Sequence, residues 1–219
     1  MSRAENKKAL AKVMEDERQK CASDPIYFIC KYIKVVHTVR GLVPFDLFKF
    51  QRDIIDKTTT NRFNIIKKFR QAGITTIYAA YSLWLALFYA EKAVLVVSIG
   101  DRESTAFLGR VWSMYSELPK FLKIGTEERN KHVVRFKNKS QVKSVPSSDS
   151  AGRGESVSLL IVDEAAFIDN MEVFWAAIFP TIATGGAAVV LSTVNGMSNW
   201  YYETYHAAIK NENTFNVID

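Results

Sequence analysis

The chain of 219 residues is 48% hydrophobic and 24% charged, a balance that suits one α/β domain or two small ones around a sizeable core and argues against extended disorder. Lysine and arginine outnumber aspartate and glutamate by 29 to 23, and the net charge of +6 leans toward a polyanionic partner. Two cysteines, Cys21 and Cys30, and three scattered histidines form neither a disulfide framework nor a zinc pattern, which leaves the cysteines as idle thiols of a reducing compartment.

The N-terminus is charged and lacks an apolar core, so it does not read as a secretory signal. Residues 4–20 are helical by composition. Ser23-Asp24-Pro25 then supplies a cap and a first-turn proline for a second helix that turns Ile26, Phe28, Ile29, Tyr32 and Ile33 inward. Gly41 to Pro44 breaks the pattern before a third helix over residues 47–57. From Phe63 onward short apolar runs alternate with helices, the signature of a mainly parallel sheet with crossover connections. Strands are expected at 63–67, 93–98, 158–162 and 187–192, and helices at 75–90, 103–116 and 200–209. The apolar run 77–90 is shorter than the ~20 residues of a bilayer span and reads as a buried helix. Residues 135–141 look like a polar hairpin turn. The expected organisation is a helical prefix, 1–46, packed on one α/β domain, 47–219.

Between the first of these strands and its helix lies Lys68-Phe69-Arg70-Gln71-Ala72-Gly73-Ile74-Thr75-Thr76. A nucleotide-binding loop of the form GxxxxGK[ST] cradles phosphates with backbone N–H groups, reaches them with its lysine and offers its hydroxyl to Mg²⁺. Gly73 and Thr75 fit, but Ile74 occupies the lysine position. With Gly73 fixing the register, the loop's first position falls on Lys68, so the missing charge can enter from the opposite end.

The strand at 158–162 runs into Asp163-Glu164, two carboxylates at the strand's C-terminal end, where ligands gather in parallel sheets. Asp163 suits Mg²⁺, a hard cation that takes oxygen ligands, and Glu164 is placed to orient or deprotonate an attacking water. An acidic turn without function explains the pair alone about as well; the upstream loop tips the balance. Ser192-Thr193-Val194-Asn195-Gly196 closes the last strand with groups able to sense a γ-phosphate, although Asn-Gly is also a plain turn signal. Gln51 has an amide able to pair with an adenine edge beside the Phe50 ring, although on local sequence alone a partly exposed helix glutamine is the better reading. Residues 129–139 carry alternating cations that suit DNA phosphates, with a solvated ribbon slightly the better reading.

Taken in order, Phe50-Gln51-Arg52-Asp53 and residues 70–76, 147–154, 160–167 and 193–196 resemble the motifs of the ATPase domain of the large terminase subunit of tailed bacteriophages, from about Leu47 to the end of the chain. That resemblance implies a P-loop NTPase of the additional-strand, catalytic-glutamate type that uses ATP and Mg²⁺. In the family an arginine inside the loop contacts phosphates, and several members carry their lysine at the loop's start. Arg70 and Lys68 match those positions, with Gln71, Ala72, Gly73, Ile74, Thr75 and Thr76 completing the loop, Thr75 and Asp163 on the metal, and Gln51 on the base. Arg153, before Gly154, matches an arginine finger that reaches a neighbouring subunit's nucleotide, against the alternative of a surface ion pair. Ser192, Thr193 and Asn195 match the segment that couples γ-phosphate loss to movement.

The partners implied are double-stranded DNA, a portal protein, a small terminase subunit and further copies in a homo-oligomeric ring, with no membrane, in the host cytoplasm during phage assembly. Full-length members continue into a metal-dependent nuclease domain. Nothing after Gly196 offers its carboxylate cluster, so the expectation is an isolated or truncated ATPase domain that cannot cut DNA by itself. Two other readings stand beside it: a helicase-like nucleic-acid-dependent ATPase, and a nucleotide- or DNA-binding module without turnover, for which Ile74 speaks.

Overall fold

The computed structural model describes residues 3–147 and 156–219. The chain opens with α1 (Arg3–Ser23) and α2 (Pro25–Tyr32), separated at Asp24, whose carboxylate accepts from the Tyr27 N–H at 2.9 Å. Asp24 therefore caps α2 while Pro25 fills its first turn, the division that the sequence predicts. The break expected next is in fact a β-hairpin. β1 (Lys34–His37) pairs antiparallel with β2 (Gly41–Pro44), and Gly41 takes the left-handed φ of 70° that the tight connection demands. Four-residue strands with little alternation leave almost no periodic signal, so the prefix is not purely helical.

The remaining elements are α3 (Lys49–Thr60), β3 (Phe63–Lys67), α4 (Ile74–Phe88), β4 (Ala93–Ser98), α5 (Asp101–Glu117), β5 (Thr126–Arg129), β6 (Val133–Phe136), β7 (Gln141–Pro146), β8 (Leu159–Asp163), α6 (Met171–Ala183), β9 (Ala187–Ser192), α7 (Trp200–Ile209) and β10 (Asn216–Ile218). Strands β3 to β10 form one eight-stranded sheet in the order β10-β3-β9-β8-β4-β7-β6-β5. The first six in that order run parallel; β6 and β5 are an antiparallel extension. The expected hairpin turn at 135–141 is the connection between β6 and β7. β9 lies between the loop-bearing β3 and the acidic β8, the extra strand of the predicted P-loop class.

Side chains alternate across this sheet and build two cores. Val94, Val96, Leu159, Ile161, Val189 and Leu191 face one cluster with α1 to α5, while Leu95, Val97, Leu160, Val162, Ala188 and Val190 face a second with α6 and α7. The prefix belongs to the first cluster through Cys21, Phe28, Ile29, Ile33 and Phe45, so it buttresses the domain and is not separate from it. Helix α4 is buried along most of its length between sheet and prefix, which explains its largely apolar sequence. α6 is the helix that periodicity misses: it is nearly all apolar and contains Pro180. Among the described residues no helix is long and apolar enough to cross a membrane.

Candidate active site

The parallel strands deliver three neighbouring C-terminal ends: β3 stops at Lys67, β9 at Ser192 and β8 at Asp163. The Lys68 N–H donates to the Ser192 carbonyl at 2.9 Å, so β3 and β9 stay paired one step into the loop. The loop then closes on α4 through Gly73, the N-cap, at φ 73°. Its first-turn N–H groups lack intrahelical partners and face the loop as an anion site. A cavity of 390 Å³ opens here, lined by residues 68–75 with Glu164 and Thr193.

Lys68 is the buried cation of this cavity. Its side chain is 8% exposed, and its Nζ lies 2.6 Å from Asp163 Oδ1, 3.0 Å from Glu164 Oε1 and 3.4 Å from Thr75 Oγ1. Thr75 in turn donates to Asp163 Oδ2 at 2.9 Å. Ile74 is buried in the first core cluster, so the conventional lysine position is spent on packing. Lys67, one residue earlier, points to the other face of β3 and pairs with Asp219 at 3.0 Å.

Glu164 sits at φ 57°, a left-handed conformation unusual outside glycine. From there its Oε2 accepts from the Thr193 N–H at 3.0 Å, Thr193 Oγ1 at 3.1 Å and Ser192 Oγ at 3.3 Å. Burial pushes this carboxyl up, but the Thr193 N–H and the Lys68 ammonium outweigh burial and hold it below the usual glutamate range. The Ser192 hydroxyl also accepts from the Ala166 N–H at 3.1 Å, and Asn195 donates to the Ala166 carbonyl at 2.9 Å. The segment after β9 is thus tied to the turn after β8.

Not every predicted residue meets the cavity. Arg70 and Gln71 line it from exposed positions, with Gln71 at φ 63°. Ala72 is buried, and Thr76 lines a separate cleft with Lys34 and Arg110. Ser192 and Asn195 do not line the cavity: Ser192 reaches it through Glu164, and Asn195 holds the turn at Ala166. Gln51 departs most from expectation: it is 3% exposed, accepts from the Phe48 N–H at 3.0 Å and donates to the Ala72 carbonyl at 2.9 Å. Its amide holds the start of α3 against the loop instead of offering a free edge to adenine. Arg153 and most of the 147–154 motif lie outside the described residues. In the basic stretch, Arg135 pairs with Glu128 and Lys131 with Asp101, which fits a solvated ribbon.

One feature went unread in the sequence. Phe48, Phe50 and Phe69 form an exposed aromatic ledge beside the loop, with ring centroids 6.0 and 5.9 Å apart. The Phe-Lys-Phe spacing at 48–50 was its signal, masked because exposed rings are hard to tell from core residues by composition.

Comparison with solved structures places this architecture. The crystal structure of the HK97 bacteriophage large terminase matches with a TM-score of 0.73 at 16% identity, covering 90% of this chain and 43% of that one. The large terminase ATPase domain of Thermus phage P74-26 matches at 0.62 and 20% identity, covering 74% and 70%. The large terminase of a further thermophilic bacteriophage, in complex with ADP, matches at 0.59 and 15%, covering 79% and 45%. This chain therefore spans less than half of the HK97 protein and of the ADP-bound one. Residues 65–218, from β3 to β10, match the family model described as terminase large subunit, T4likevirus-type, N-terminal. With the loop, the acidic pair and the inserted strand in one continuous match, the chain belongs to the terminase large-subunit family.

Proposed function

We propose that this chain is the ATP-hydrolysing domain of a viral DNA-packaging motor, with residues 47–219 forming the catalytic unit and 1–46 its buttress. The observation that carries the reading is the convergence of Lys68, Thr75 and Glu164 on one cavity at a helix N-terminus, with Asp163 bonded to both Lys68 and Thr75. Lys68, whose Nζ lies beside both carboxylates, is the cation placed to meet the phosphate oxygens of a nucleotide. Arg70, exposed on the loop, adds a second cation. Thr75 Oγ1 and Asp163 Oδ2, 2.9 Å apart, are a hard-oxygen pair of the kind Mg²⁺ takes, so the residues present fit that ion. Bound there, Mg²⁺ would neutralise charge on the β- and γ-phosphates.

Glu164, kept ionised by Thr193 and Lys68, accepts a proton from the attacking water or orients it. Arg153 from an adjacent copy supplies transition-state charge in trans. Ser192 and Thr193 report γ-phosphate loss through their contacts with Glu164, and Asn195 through the Ala166 carbonyl of the turn that follows it. Gln51 supports the loop from beneath, and the base lies against the Phe48–Phe50–Phe69 ledge. Double-stranded DNA, a portal protein, a small terminase subunit and a homo-oligomeric ring in the host cytoplasm are the setting this reading entails. Hydrolysis of ATP by the purified chain, with and without duplex DNA, tests it. Turnover that Glu164→Gln abolishes supports the reading, and nucleotide binding without turnover at any protein concentration rejects it.

A further inference from the structure

The phosphate-binding cavity leaves unused the face of α7 that meets the end of β3. Tyr201, 4% exposed, donates its hydroxyl to the Ile66 carbonyl at 2.7 Å. One turn on, Tyr205 accepts from Lys67 Nζ at 2.8 Å and donates to Asp219, which also pairs with Lys67. Ile66 and Lys67 are the two residues before Lys68. At this same N-terminal end α7 is capped by Asn199, which donates to the Asn195 carbonyl at 2.7 Å, and Asn195 reaches the turn after Glu164. One helix therefore grips the exit of β3 and is tied to the turn that carries Glu164.

This grip matters because of where the lysine comes from. A lysine in the usual place rises from the first turn of a helix, whose rigid hydrogen bonding aims it. Lys68 rises from a strand exit, so its aim depends on the backbone at residues 66–68. Phenylalanine at 201 would fill the second core equally well; the hydroxyl is the part that packing does not require.

We propose that Tyr201 and the Lys67–Tyr205 pair are positioning residues that set the aim of Lys68, an inference that rests on the proposed role of Lys68 in phosphate binding. The test measures Tm, kcat and KM for ATP in wild type, Tyr201→Phe, Lys67→Met and Lys67→Arg. Tyr115→Phe is the matched control, since the Tyr115 hydroxyl donates to the Ile124 carbonyl away from the cavity. The expected result is a roughly ten-fold fall in kcat for Tyr201→Phe and Lys67→Met with KM within about two-fold, since a misaimed group costs rate more than binding. Lys67→Arg restores kcat, and Tyr115→Phe keeps it within about two-fold at a comparable loss of Tm. If Tyr201→Phe and Lys67→Met instead match Tyr115→Phe in kcat, the inference falls while the function stands. A wild-type chain that never hydrolyses ATP overturns the function and the inference together.

Discussion

Replacing Gly73 by alanine probes the joint between the phosphate loop and the fold. Two costs follow from the structure. An L-residue at φ 73° is strained by about 1–2 kcal/mol. In addition, a Cβ at this position would lie 2.9 Å from Gln51 Nε2, so the buried amide must abandon the Ala72 carbonyl. A buried hydrogen bond lost in this way costs about 1–3 kcal/mol. The sum, about 2–5 kcal/mol, corresponds to a Tm lower by roughly 4–20 °C for a chain of this size. Gly109→Ala is the reference, because that glycine is exposed in α5 with open space around its Cβ position, and it should gain about 0.5–1 kcal/mol from helix propensity. In a Gln51→Ala background the contact is gone, and Gly73→Ala should cost only the conformational part, which leaves a coupling of about 1–3 kcal/mol for the lost hydrogen bond. Thermal unfolding of the four chains in the cycle measures it. Equal costs in both backgrounds would refute the claim that Gln51 braces the loop.

Other perturbations read other parts of the structure. Glu17 accepts from Lys31, Tyr27 and Tyr32, which draw its carboxyl down from 4.5 to about 2, so its contribution is complete above pH 4.5 and lost as pH falls through about 2. The Tm gap between wild type and Glu17→Gln should therefore be widest near neutrality and close toward pH 2; a gap independent of pH contradicts the assignment. Thr193→Val removes one donor to Glu164, so the acid limb of the kcat/KM profile for ATP should move to higher pH, and an unmoved limb would separate Glu164 from the proton transfer. Arg62 closes the end of α6 through the carbonyls of Ile182, Ala183 and Gly186, and Arg62→Ala should cost about 2 kcal/mol by chemical denaturation, with near-neutrality the contrary result.

The parts legible in the sequence share a physical cause. Buried parallel strands such as Ala93–Ser98 and Leu159–Asp163 are continuous apolar runs, and the loop and acidic pair are tied to their ends by chain geometry. What escaped was short or aperiodic: the β1–β2 hairpin, the three-residue β10, and α6 with its internal proline. Strand alternation separates the two lysines: Lys67 leaves β3 toward Tyr205 and Asp219, and Lys68 toward Asp163 and Glu164. Gln51 could not be read, because its role depends on a carbonyl 21 residues away. The grip of α7 on β3 spans 135 residues and left no local pattern at all.

The central claim is that the loop's lysine has moved to its first position while the chemistry has stayed. ATP hydrolysis by Lys68→Ala, compared with Lys67→Ala and wild type at high protein concentration and with duplex DNA, tests it most directly. Loss of a charge that contacts the transferred phosphate should lower kcat/KM by roughly a hundred-fold or more in Lys68→Ala, against at most about ten-fold in Lys67→Ala. Full activity in Lys68→Ala would contradict the account.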